Sequence, residues 1–168
     1  FFKFKYRLKY YKTEEVNSIS KIKHSSIRET LKYKNFVDRF ELLHIADLPA
    51  QSGLGASSSF TVGLLNCVNA MKGNIPTKRQ LANEALEIEQ KKSREFVGSQ
   101  DQYAAAFGGF NVINFSKNSI QVNSIPNNLK NIKELEESTV LIFSDFQRKA
   151  SLVEKKKIKN IEKKKIFY

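Results

Sequence analysis

Residues 49–59 read PAQSGLGASSS, and FTVGLLNCVNAM follows. Two glycines bracket a leucine, three serines come next, and then an apolar run suited to a buried helix takes over. A stretch of this kind can hold an anion. The first four backbone N–H groups of a helix have no intrahelical partner, and the helix dipole places about half a positive charge beside them. Gly53 and Gly55 carry no Cβ that would keep an oxygen away from the backbone, and hydroxyls such as those of Ser57 and Ser58 can donate to a phosphate or ligate a hard cation such as magnesium. The stretch matches neither a loop ending in Gly-Lys-Ser/Thr nor G-x-G-x-x-G. On its own it reads equally well as a glycine turn and serine caps ahead of a core helix.

Carboxylates tip that balance. Glu87 and Glu89 fall in a helical stretch, and Asp101 lies in a loop between Gly98 and the small, apolar AAAFGG. Magnesium on a triphosphate takes only one or two protein ligands, and phosphoryl transfer needs an acceptor base held in line. A serine, a glutamate and an aspartate from three segments supply that minimum, although each alone is also well read as surface charge or cap.

The elements that must position these groups follow from periodicity. FKFKYRLKY alternates apolar and basic residues with period two, which predicts a half-exposed strand. SSIRETLKY at 25–33 predicts a short helix with a serine cap and a Glu three residues after Ser26. ELLHIAD at 41–47 predicts a strand stopped by Asp-Leu-Pro. A helix should open near Ser57 and run to about Met71, closed by Lys72-Gly73-Asn74. Thr77 should cap a second helix through KRQLANEALEIEQKKS, with Leu81, Ala85, Ile88 and Lys92 on one face. Next come a loop, one or two helical turns, a Gly-Gly break and a strand at 110–115, with Gln121-Val122 as a hairpin arm. STVLIFSD at 138–145 predicts a buried strand, and the segment after Ala150 has a helix-like pattern in Leu152, Val153 and Ile158. Strands and helices mixed along the chain make an α/β protein.

Composition bounds the partners. The formal charge of +12 sits at the ends: five basic side chains and no acid lie in residues 1–12, and seven lysines stand against Glu162 in residues 155–168. The interior is close to neutral, whereas a nucleic-acid binder spreads its Lys and Arg over one folded face, so nucleic acid is not the expected partner. No segment approaches the run of about eighteen apolar residues that would suggest a membrane span, and no signal peptide is visible. Cys67, the single cysteine, sits inside the apolar run and reads as a small buried hydrophobe in a reducing, cytoplasmic setting.

Taken together and in this order, these motifs resemble the GHMP kinase superfamily. PAQSGLGASSSF is similar to its Pro-x-x-x-Gly-Leu-Gly-Ser-Ser phosphate loop. KYRLKYYKTEEVNSISKIKHSSIRETLK and GSQDQYAAAFGGFNVINF further resemble the branch that phosphorylates D-glycero-D-manno-heptose 7-phosphate, over about Tyr6 to Ser151. The resemblance implies an N-terminal domain of the ribosomal-protein-like left-handed β-α-β type over 1–137 and the start of a C-terminal domain over 138–168. It implies ATP, Mg2+ and a small-molecule sugar phosphate as cofactors and substrate, with phosphorylation of the anomeric hydroxyl to a 1,7-bisphosphate. The loop Gly53, Leu54, Gly55, Ala56, Ser57 and Ser58 would cradle the phosphates, Ser57 and Glu89 would ligate magnesium, and Asp101 would be the base. Gln100, Gln102 and Tyr103 would lie near the sugar. Another sugar of the superfamily, such as fucose or galactose, and a non-catalytic nucleotide-binding remnant are the alternatives. Ala56 stands where the family loop has its first serine, Ser99 where lysine is common before Gln100, and Asp145 where a glycine follows the strand. The family's opening glycine-rich segment and its C-terminal glycine-rich motif have no counterpart here, so the chain is expected to be a fragment, inactive and poorly folded when expressed alone.

Overall fold

β1 (Tyr6–Lys9) is the alternating segment, and its alternation sorts the side chains: Tyr6 and Leu8 are buried, while Arg7 and Lys9 face outward. It forms the middle of a three-stranded sheet. β2 (Thr13–Val16) pairs with it antiparallel and β3 (Phe40–Leu43) parallel, with Leu8 opposite Glu14 on one side and Leu42 on the other. On the outer face Arg7 bridges Glu15 and Glu41, which removes much of the basic character that the sequence gives this end. The computed structural model describes residues 3–47, 53–93, 97–117, 119–126, 129–142 and 160.

The parallel partner is reached through a single 3-10 turn (Ile19–Lys21) and α1 (Ser25–Tyr33), whose Ile27 and Leu31 close over Tyr6 and Leu8. The cap of α1 is His24, not a serine: its Nδ1 accepts the Ile27 N–H, and Ser26, two residues on, is buried. β3 is also shorter than the expected 41–47.

α2 (Ala56–Met71) is the element shared by both halves of the core. Leu64 and Val68 join the cluster of β1 and α1, while Val62 and Leu65 pack against Leu81, Ala85 and Ile88. Its third face is open. Gly63, Cys67 and Met71 recur at three to four residues and, with Phe36, Phe40 and Leu42, line an open groove of about 670 Å³. Cys67 is therefore exposed, contrary to expectation, because its stripe of the helix turns away from both clusters.

α3 (Lys78–Leu86) starts at a complete capping box between Thr77 and Gln80. It then widens into a π turn over Glu87–Lys92. A regular helix would carry the buried face from Ile88 to Lys92. Over the π turn Ile88 and Glu89 are buried and Lys92 is exposed, and such turns are common at functional sites.

α4 (Gln100–Phe107) follows, and then the antiparallel hairpin β4 (Asn111–Phe115) and β5 (Ile120–Ser124). α5 (Leu129–Glu137) was not legible beforehand. The expected buried strand at 138–145 is absent from its described part: Val140, Leu141 and Ile142 are 76–81% exposed and belong to no sheet. Residues 143–145, and the helix-like segment after Ala150 apart from Asn160, lie outside the described residues.

Candidate functional site

Gly53 and Gly55 both have positive φ, 80° and 71°. A left-handed backbone is what lets the chain turn directly into α2, and it strains any residue that carries a Cβ. At Gly55 space matters as well, since an added Cβ would lie 3.4 Å from Asp101 Cγ and 3.6 Å from its Oδ2. The loop and Asp101, 46 residues apart in sequence, are thus in contact across the gap between α2 and α4.

Gly55 is the N-cap of α2. It offers no side chain, and the first turn, Ala56-Ser57-Ser58, contains no acid. Among the described residues none of the first N–H groups of the helix donates to a carboxylate, although Asp101 lies beside Gly55. Ser57 is exposed at this end, and Ser58, one residue on, turns inward and is buried.

Below the loop lies a buried polar cluster. Glu89 is fully buried at the π turn. Ser58 Oγ donates to its Oε2 at 2.9 Å, and Gln102 Nε2 donates to the same oxygen. Glu89 Oε1 and Gln102 Oε1 have no hydrogen-bond partner. A buried carboxylate oxygen without a donor is costly, and a hard cation suits such an oxygen. The hydroxyl on Glu89 is that of Ser58, while Ser57 faces solvent at the helix start. Among the described residues no group of three or more His, Cys, Asp and Glu side chains converges as a metal cage, and magnesium held mainly by substrate phosphates needs none.

α4 places consecutive residues in different roles, because neighbours on a helix point about 100° apart. Gln100 is exposed at its start, Asp101 is half-buried beside the loop, and Gln102 is fully buried on Glu89. Tyr103 is buried too, with its hydroxyl on Asn83 Oδ1 at 2.7 Å and its ring stacked on Phe107. Sequence reasoning singled out Glu89 and Asp101 as candidates but not the Ser58–Glu89–Gln102 linkage. That linkage joins three separate elements, which the apolar periodicity of any one of them does not reveal.

The comparisons agree with this geometry. A family model described as the GHMP kinases N terminal domain matches residues 20–109, more than half of the chain. Over 122 residues the chain is 41% identical to a D-glycero-alpha-D-manno-heptose 7-phosphate kinase of Campylobacter jejuni subsp. jejuni serotype O:2, a match covering 70% of this chain and 35% of that protein. A crystal structure of a D-glycero-D-manno-heptose 1-phosphate kinase from Bacteriodes thetaiotaomicron superposes with a TM-score of 0.71 at 29% identity, covering 78% of this chain and 47% of that one. The chain thus spans about a third of the curated relative and under half of the solved structure. By its matched domain, its fold and its glycine-serine loop, the chain belongs to the GHMP kinase family.

Proposed function

We propose that this chain carries the ATP-binding part of a kinase that phosphorylates the anomeric hydroxyl of D-glycero-D-manno-heptose 7-phosphate. The observation that carries the reading is the contact of Asp101 with the bare glycine start of α2. The N–H groups of Gly53 to Ser58 would receive the β- and γ-phosphates. Asp101 would take the proton of the sugar hydroxyl as that oxygen bonds to the γ-phosphorus and the bond from the γ-phosphorus to the β–γ bridging oxygen breaks, releasing ADP. Magnesium, when bound, neutralises charge on the phosphates; Ser57 and Glu89 would hold it, and the unpartnered buried Oε1 of Glu89 fits that role. Residues 1–137 would form the N-terminal domain, and 138–168 would begin a second.

The test is ADP release by the kinase that carries this segment, in the presence of MgATP and either heptose 7-phosphate or heptose 1-phosphate, since the two relatives are named for different positions of the phosphate. Release that requires heptose 7-phosphate, with phosphorus NMR showing a new phosphate coupled to the anomeric proton, is the expected result. Release that prefers heptose 1-phosphate or a neutral hexose would overturn the substrate. ATP binding with no sugar-dependent turnover would leave a nucleotide-binding remnant.

A further inference from the structure

Glu89 draws two donors from two different helices onto one oxygen. Ser58 of α2 and Gln102 of α4 both donate to Oε2, and all three side chains are buried. A carboxylate has about four lone-pair positions, so donors could have been shared between its oxygens. Here Oε1 is left bare, as is the acceptor atom of Gln102. Both donors are neutral: they fix the direction of the carboxylate without cancelling its charge, which a lysine or arginine in either place would do.

From this we infer that Gln102 and Ser58 are positioning residues, which pin Glu89 by Oε2 so that Oε1 alone is presented to a cation. Gln102 acts through Glu89 and does not touch the sugar. The inference rests on the proposed role of Glu89 as a metal ligand. One turn of α4 then carries both the base, Asp101, and the amide that sets the metal ligand, Gln102.

Mn2+ serves as the probe, titrated with a non-hydrolysable ATP analogue into the 168-residue chain and followed by electron paramagnetic resonance. Analogue affinity is measured again in EDTA. Gln102→Met, which keeps the length and removes the donor, should weaken Mn2+ binding by about 10- to 100-fold, the usual effect of losing a group that orients a metal ligand. Ser58→Ala should act in the same direction, and Ser58→Thr, which keeps the hydroxyl, should restore binding. For Gln102→Met, analogue affinity in EDTA should not move. In a Glu89→Gln background Gln102→Met should add less than about twofold, since both changes then act on one interaction. If Glu89→Gln weakens Mn2+ binding while Gln102→Met does not, or if the two losses add in full, the positioning role is wrong and the metal-ligand reading stands. If wild-type chain gains no affinity from Mn2+, or Glu89→Gln is silent, the metal-ligand reading fails and the inference falls with it. Should Gln102→Met melt below room temperature, the Ser58→Ala and Ser58→Thr pair decides alone: equal Mn2+ binding by the two overturns the proposal.

Discussion

The two long-range helix starts of this chain are built in opposite ways. α1 brings its own anion. Glu14 of β2 is buried and accepts the backbone N–H groups of Lys23 at 2.6 Å and His24 at 3.1 Å, with the Tyr10 hydroxyl on the same carboxylate. His24 Nδ1 then caps the helix. α2 has Gly55 as its cap, no acid in its first turn, and only the edge of Asp101 nearby. Both starts need negative charge for the same reason, the unpaired N–H groups and the dipole. At α1 that charge is covalently part of the fold and stabilises it. At α2 the proposed function assigns it to a phosphate, and the helix is held instead by its two apolar faces.

The largest expected effect comes from Asp101, a carboxylate that approaches the bare start. Where the chain supports turnover, Asp101→Asn should lower kcat by at least about a hundredfold with nucleotide affinity little changed, the lower end of what a positioned general base supplies; steady-state kinetics with a direct binding titration checks both halves. At α1 the corresponding change should be read in stability alone. Glu14→Gln loses charge-assisted bonds to two backbone donors and should cost about 2 kcal/mol in a urea melt, with no effect on nucleotide binding. Ser57→Ala, at the exposed first turn of α2, should raise the magnesium concentration needed for half-maximal binding of ATP by several-fold, on the order of one lost oxygen ligand. An unchanged titration would move the metal away from Ser57.

Acid should separate the two starts further. Burial pushes the Glu14 carboxyl up, but the Tyr10 hydroxyl and the backbone N–H groups of Lys23 and His24 outweigh it, so Glu14 sits below its ordinary value of 4.5. Burial lowers His24 below its ordinary 6.5, opposed by Glu14 and helped by His44, which keeps Nδ1 free to accept the cap bond. A group depressed in the folded state favours folding above its unfolded pKa and loses that contribution as pH falls through its folded pKa. Thermal melts should therefore show stability falling first below about pH 6.5, from His24, and again below about pH 4.5, from Glu14. His24→Asn, which caps without titrating, should flatten the first step. A melt equally steep in the variant would take His24 out of the account.

The contrast between the helix starts was only half visible in the sequence. Glycines at 53 and 55 and a serine-rich first turn announce α2, because left-handed turns and caps depend on local residue type. The helices of 56–71 and 78–86 and the strands at β1 and β4 were legible for the same reason: their apolar periods are local. Glu14 gave no signal. Its partners lie nine and ten residues away across a strand and a turn, and the paired glutamates of TEEV read as solvated. The histidine cap was missed because Ser25 and Ser26 beside it are better capping types. Glu89 and Asp101 were candidates through the resemblance, but only the fold shows Glu89 buried against Ser58 and Gln102. The strand expected at 138–145 failed because an apolar run specifies burial only where a partner covers it.

The central claim is that α2 is kept bare so that a phosphate can supply what Glu14 supplies to α1. Ala56→Asp tests it most directly, because Ala56 is the exposed first residue of the helix. An acid there imitates α1 and should stabilise the chain by about 0.3–1 kcal/mol through the helix dipole. The same charge should repel a phosphate at the site and weaken ATP binding by about tenfold or more, one ten-fold step being worth about 1.4 kcal/mol. A thermal melt and an ATP titration on the same preparation give both numbers. The account requires a higher melting temperature with weaker ATP binding. ATP binding unchanged in a chain that melts at or above the wild-type temperature would contradict it.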